Sequence, residues 1–231
     1  MKHLFVITFA ITLFVAAFGS STHALSAEAP EQVTFSTQDG GTIYADLYGK
    51  GERGVVLAHG GRFTKESWEP QAQVLAQAGF RVLAFDFRGY GQSPRQPNDA
   101  PPHLDVLAAV RYLRQAGAKT VAVIGGSFGG GIAADATIAA APGEIDRLVL
   151  LGTGGGDGPT EKLKGRLLCI VARDDTSGDG LRLPRILAQY EKAPQPKQLV
   201  IIESSAHAQF MFATKHGDQV MSEILRFLAA R

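Results

Sequence analysis

The chain has one cysteine, Cys169, so it can close no disulfide within itself, and its stability must come from a packed core. That cysteine lies in the apolar run "LLCIV", where an inert core thiol is a better reading than a nucleophile. Charge is scarce as well. Charged residues make up 19% of the chain, the formal net charge is +1, and no long lysine or arginine run occurs. That leaves no electrostatic footprint for nucleic acid as a partner. Hydrophobic residues, at 45%, are too many for a disordered chain. Internal repeats and low-complexity blocks are also lacking, and 231 residues suit one domain of the larger kind.

The N-terminus lacks an apolar run long enough to cross a membrane. Lys2 is followed by an apolar stretch from Leu4 to Phe18 and then by small and polar residues. This stretch falls short of the roughly 20 residues a spanning helix needs. The layout is that of a secretory signal peptide. We therefore expect residues 1–27 to be a cleaved leader, with Ala24 or Ala27 before the cut. Residues 28–231 then form one exported domain without stable membrane insertion.

Beyond the leader, "EQVTFSTQDGGTIYADLYG" alternates Val33 and Phe35, turns at "DGG", and alternates again through Ile43, Ala45 and Leu47, which predicts an antiparallel hairpin. Six continuous apolar runs follow, at 54–58, 81–86, 120–125, 147–152, 166–172 and 198–203. Strands buried on both faces of a parallel sheet read this way. Helical stretches separate most of them and end at Gly79, Gly117 and before Pro142. A further helix is expected at "LPRILAQYE" and another through Val220, Ile224 and Leu228. The interval "TGGGDGPTEKLKG" shows no amphipathic helix and reads as a glycine-rich loop. The expected fold class is a layered α/β domain with a mostly parallel sheet and helices on both faces.

Glycine, costly inside regular structure, is concentrated around Ser127 in "GGSFGG". Residues 125–129 match G-x-S-x-G, between a predicted strand and a predicted helix. A sharp strand-to-helix corner requires small neighbours and presents the serine hydroxyl for chemistry. The N–H groups opening the helix face any oxyanion that forms there. A serine needs a base and the base an orienting carboxylate. In open α/β sheets the site forms at the carboxyl ends of the strands, which selects His207 over His59, His103 and His216. By the same criterion Asp175 is the preferred acid, with Asp174 the runner-up and Asp157 a weaker option. The oxyanion donors are expected at the backbone of Phe128 and at Gly61 in "AHGGRF", or at Arg62 in place of Gly61. His59 is expected to shape that loop. Trp68 and Phe63 read as core or pocket lining.

"HGG", "DFRGYGQS" (86–93), "GGSFGG", "ARDD" and "SSAH", in this order, resemble the α/β-hydrolase family across the whole chain after the leader. The resemblance implies an α/β-hydrolase fold with Ser127, Asp175 and His207 as triad and with structural roles for Asp86 and Arg88. It implies a serine hydrolase acting on small carboxylic esters, requiring neither metal nor organic cofactor. Thioesters, lactones and small peptides suit the same machinery, and a non-catalytic binding protein retaining the fold is the contrasting class. The loop after Gly152 leaves no room for the helical cap found in fuller members, so an open site is expected. When the chain is expressed with its own leader, intact mass should show loss of roughly the first two dozen residues, consistent with the usual leader length. Retention of Met1 would refute the cleavage.

Overall fold

The computed structural model describes residues 29–95 and 100–230, so the expected leader lies outside the described residues. The first alternating segment forms β1 (Glu31–Ser36), paired antiparallel with β2 (Thr42–Tyr48), as the hairpin pattern predicts. The continuous apolar runs form β3 (Arg53–Ala58), β4 (Phe80–Phe85), β5 (Thr120–Gly126), β6 (Arg147–Leu151), β7 (Arg166–Ala172) and, after the ribbon β8 (Thr176–Ser177) and β9 (Gly180–Leu181), β10 (Lys197–Ile202). These eight main strands form one sheet in the order β1-β2-β4-β3-β5-β6-β7-β10. Only the β1–β2 and β2–β4 pairs are antiparallel.

The helices are α1 (Glu69–Gln77), α2 (His103–Gln115), α3 (Phe128–Ala139), α4 (Leu183–Lys192) and α5 (Gly217–Ala229). Successive side chains on a strand point to opposite faces. Val56 and Val123 pack with Val110 of α2, Ala133 of α3 and Ile186 of α4. Their neighbours Val55, Leu57 and Ile124 pack on the other face, with Leu75 of α1 and Ile224 of α5. Each central strand is therefore covered on both sides, which explains its continuous hydrophobicity. Gly79 and Gly117 follow α1 and α2 at φ of 83° and 99°, the left-handed conformation that ends a helix. After β6, the glycine-rich loop holds only a short 3₁₀ turn, Thr160–Lys162, as expected. It folds onto α3, where Asp135 accepts the N–H groups of Asp157 (3.2 Å) and Gly158 (2.8 Å).

The order of the sheet locates the site. The chain runs from β3 outward to β4 and then returns past β3 to β5. Connections leave in opposite directions beyond the ends of β3 and β5, opening a crevice at that point.

A buried ionic cluster ties the hairpin to this region. Arg88, just after β4, donates from Nε to Asp105 Oδ1 (2.9 Å) and from Nη1 to Asp39 Oδ2 (3.0 Å). Arg88 holds the partly buried Asp39 down at about 2, whereas burial pushes Asp105 above the usual carboxylate range despite the same guanidinium. Asp105 is fully buried. Removing one partner of a buried pair strands the other's charge. Arg88→Met should therefore lower unfolding free energy by about 3 kcal/mol in urea titrations. An unchanged midpoint would show that the cluster contributes nothing.

Candidate active site

Ser127 stands between the last residue of β5 and the first of α3, with φ 51° and ψ −114°. A non-glycine residue at positive φ is strained and persists only where its surroundings hold it. Here its N–H donates to Leu151 O (2.9 Å) and its carbonyl accepts from Gly131 (3.0 Å). Two flanking glycines are required by contact. A β-carbon on Gly129 would lie 2.4 Å from the carbonyl oxygens of Ala58 and His59, and one on Gly125 would lie 2.5 Å from Gly129 O. The helix start is thus pressed against the end of β3, and no larger residue fits between them.

The serine hydroxyl meets His207, which follows β10. His207 Nε2 lies 2.7 Å from Ser127 Oγ, and Nδ1 lies 2.6 Å from Asp175 Oδ2. Both bonds are satisfied by a neutral ring with its proton on Nδ1 and a lone pair toward the hydroxyl. Asp175, at the end of β7, is 1% exposed. Asp174 beside it is exposed, its backbone N–H bound to Ser204 O. Asp157 is exposed on the glycine loop and does not reach the imidazole. The structure therefore brings together Ser127, His207 and Asp175 and leaves the other two aspartates apart. His103 opens α2 and His216 precedes α5, so neither contacts Ser127.

The two residues expected to supply oxyanion donors, Gly61 and Phe128, lie close together. Phe128 is the first residue of α3, so its N–H has no intrahelical acceptor. A β-carbon on Gly61 would sit 3.5 Å from Phe128 Cβ, which places the two backbones side by side. Arg62 is the next residue and is exposed. His59 is fully buried: Nδ1 donates to Gly60 O (2.9 Å) and Nε2 accepts from Phe87 N–H (3.2 Å). The Gly60 carbonyl shares a trans peptide with the Gly61 N–H, so pinning the oxygen aims that N–H the opposite way. His59 shapes the loop, as the sequence suggested. Trp68 is core, 1% exposed, and Phe63 packs on Phe210 with ring centroids 5.1 Å apart.

A cleft of about 300 Å³ opens beside Ser127, lined by Ile132, Thr153, Arg182, Arg185 and Gln189. Phe128 pairs with Tyr90 and Phe63 with Phe210 near the loop that carries Gly61. Among the described residues no helix covers the cleft in the place of a cap. Two contributors were not legible beforehand. Arg182 Nε lies 3.3 Å from Asp175 Oδ1, the carboxylate oxygen turned away from His207. Gln209 bonds Gly60, which is 149 positions away along the chain, so no local pattern marks it. Cys169 is buried and its thiol is pushed up to about 12, which makes it inert.

The chain belongs to the alpha/beta hydrolase fold family, whose family model matches residues 54–184. It is 31% identical over 154 residues to a non-heme chloroperoxidase of Streptomyces lividans, covering 65% of this chain and 50% of that protein. It is 42% identical over 78 residues to the bifunctional epoxide hydrolase 2 of Sus scrofa, covering 33% of this chain and 14% of that one. These matches span half or less of the relatives' own length. In three dimensions an esterase of Pyrococcus furiosus superposes with a TM-score of 0.70 at 19% identity, over 87% of this chain and 91% of that one. An esterase from Exiguobacterium antarcticum gives 0.71 at 16% identity, over 87% and 100%.

Burial holds His59 below its ordinary value of 6.5, so it stays neutral in the folded protein. The unfolded chain binds its proton first as pH falls, so this group's contribution is intact above 6.5 and lost below it. Thermal unfolding should therefore show a falling midpoint from pH 7.5 to 5.5. In His59→Gln, which can still donate and accept, the fall should be shallower. Equal slopes would refute the assignment.

Proposed function

We propose that this protein is a serine hydrolase that cleaves small carboxylic esters through an acyl-enzyme on Ser127. The observation that carries the reading is the continuous line from Ser127 Oγ through His207 to Asp175, with spacings of 2.7 and 2.6 Å. Its partners come from the ends of three different strands, which a surface histidine would not require. The esterases that share the fold add support by analogy.

In the first half-reaction Ser127 Oγ attacks the acyl carbon as its proton passes to His207 Nε2. The carbonyl electron pair moves onto oxygen, which accepts hydrogen bonds from the Phe128 and Gly61 N–H groups. That oxyanion then collapses, the bond to the leaving alkoxide breaks, and His207 returns the proton to it. Water repeats the sequence on the acyl-enzyme, with His207 again as base, and releases the acid and Ser127. Asp175 keeps the imidazole in its orientation and stabilises the imidazolium that forms twice per cycle. Each oxyanion donor contributes about 3 kcal/mol by comparison with donors removed elsewhere. Side chains, backbone and water complete this chemistry, so no metal or organic cofactor enters it.

The uncapped cleft, polar on the Arg182 and Gln189 side, supports short or polar substrates over long alkyl chains. We further propose that the enzyme works outside the cytoplasm after losing its leader. A fluorophosphonate tests the central claim without a guess about substrate. The wild type should gain one adduct by intact mass and Ser127→Ala none. Hydrolysis of p-nitrophenyl acetate by the variant should fall about 10⁴-fold or more. A folded wild type that takes no label would overturn the reading, and the binding-protein class would replace it.

A further inference from the structure

Gln209 lies two residues past His207, in the 3₁₀ turn Ala208–Ala213, and is 7% exposed. A buried carboxamide needs its hydrogen bonds satisfied, and this one meets both halves. Its Oε1 accepts the Gly60 N–H at 2.7 Å. Its Nε2 donates to Ser67 Oγ at 2.9 Å. Ser67 in turn donates to Thr64 O at 2.6 Å. The direction of this chain is determinate. Gly60 N–H can only donate, so the amide oxygen must face it. Ser67 has given its proton to Thr64, so its lone pair must face the amide nitrogen.

The side chain therefore bridges both ends of the segment from Gly60 to Ser67, the segment that carries Gly61. It does so from the element that carries His207. It also touches the end of the nucleophile strand. A β-carbon on Gly126 would come within 3.1 Å of Gln209 Cγ and 3.2 Å of Oε1, and one on Gly60 within 3.3 Å of Oε1. Both glycines leave space that the carboxamide occupies. Directly before it, Ala208 is held at φ 50°, a strained conformation for alanine. That strain aims residue 209 inward beneath the oxyanion loop.

We propose that Gln209 is a positioning residue, whose carboxamide locks the Gly60–Gly61 donor loop in register with His207 and Ser127. His59 fixes the Gly60 carbonyl and Gln209 fixes the Gly60 N–H, so the peptide planes on both sides of Gly60 are held. The Gly61 N–H then waits where charge develops and needs no rearrangement during the reaction. This rests on the reading of Gly61 as an oxyanion donor in ester hydrolysis.

Gln209→Met keeps the length and volume of the side chain and removes both polar contacts. A donor misplaced by a fraction of an ångström is felt in the transition state more than in the bound substrate. With p-nitrophenyl acetate, kcat should fall about 30-fold while KM stays within about threefold, since the loss lies in the transition state. Inhibition by a trifluoromethyl ketone, which presents an oxyanion, should weaken by the same factor. Ser67→Ala should give a smaller loss of the same kind. The double variant should be no worse than Gln209→Met, because both changes break one chain. A wild-type kcat in folded Gln209→Met, or a loss confined to KM, overturns the proposal. Should Gln209→Met fail to fold, Ser67→Ala decides. Reduced kcat at constant KM supports the lock and full kcat overturns it. A wild type inert toward the ester and toward fluorophosphonate would instead defeat the hydrolase reading itself, a separate outcome.

Discussion

The molecule is organised around one strained turn. At Ser127 the chain leaves a buried strand and enters a helix within a single residue, at a positive φ that serine does not adopt freely. The turn survives because the sheet on one side and α3 on the other are too well packed to relax. Leu151 takes its N–H, and the end of β3 presses directly on the backbone of Gly129. The strain is the means by which a hydroxyl stands clear of the sheet while the first N–H of the helix faces the same point. The sheet topology serves the turn, since the reversal between β3 and β5 leaves a crevice where the serine emerges.

Burial sets what the polar groups near this turn require of their neighbours. Asp175 is almost wholly removed from water, and an ionised carboxylate there needs compensation. His207 supplies it on one oxygen and the Arg182 guanidinium lies beside the other. Arg182 also lines the cleft beside Ser127. On the opposite side, His59 is kept neutral by burial, which lets one ring accept from Phe87 and donate to Gly60. A charged ring would lose its acceptor and release the loop. Burial thus favours the neutral ring at His59, while the buried Asp175 carboxylate is met by His207 and Arg182.

The glycine-rich segment after β6 gives the site its open character. Where a helical insertion could stand, the chain folds flat against α3, held by Asp135. The cleft is left with a polar wall and an aromatic rim. The alpha/beta hydrolase fold family accommodates this variation because the reacting groups sit on strand ends, independent of what the connecting loops cover.

Much of this was legible from residue order. Parallel strands buried on both faces must be apolar throughout, so β3 to β7 announced themselves, and Gly79 and Gly117 marked the ends of α1 and α2. The convergence of Ser127, Asp175 and His207 could be anticipated because each sits just past a strand, and because only glycine tolerates the crowding at 125 and 129. Local chemistry determined these features, so the sequence alone determined them. Tertiary structure decided the rest. Position past the strand only favoured Asp175 over its neighbour Asp174, and it is the path of the chain after β7 that buries one and exposes the other. Gln209 and Arg182 carry no local signature, since their partners lie far off in the chain or around a turn. Their contacts exist only once packing has brought these distant groups together and excluded water from them.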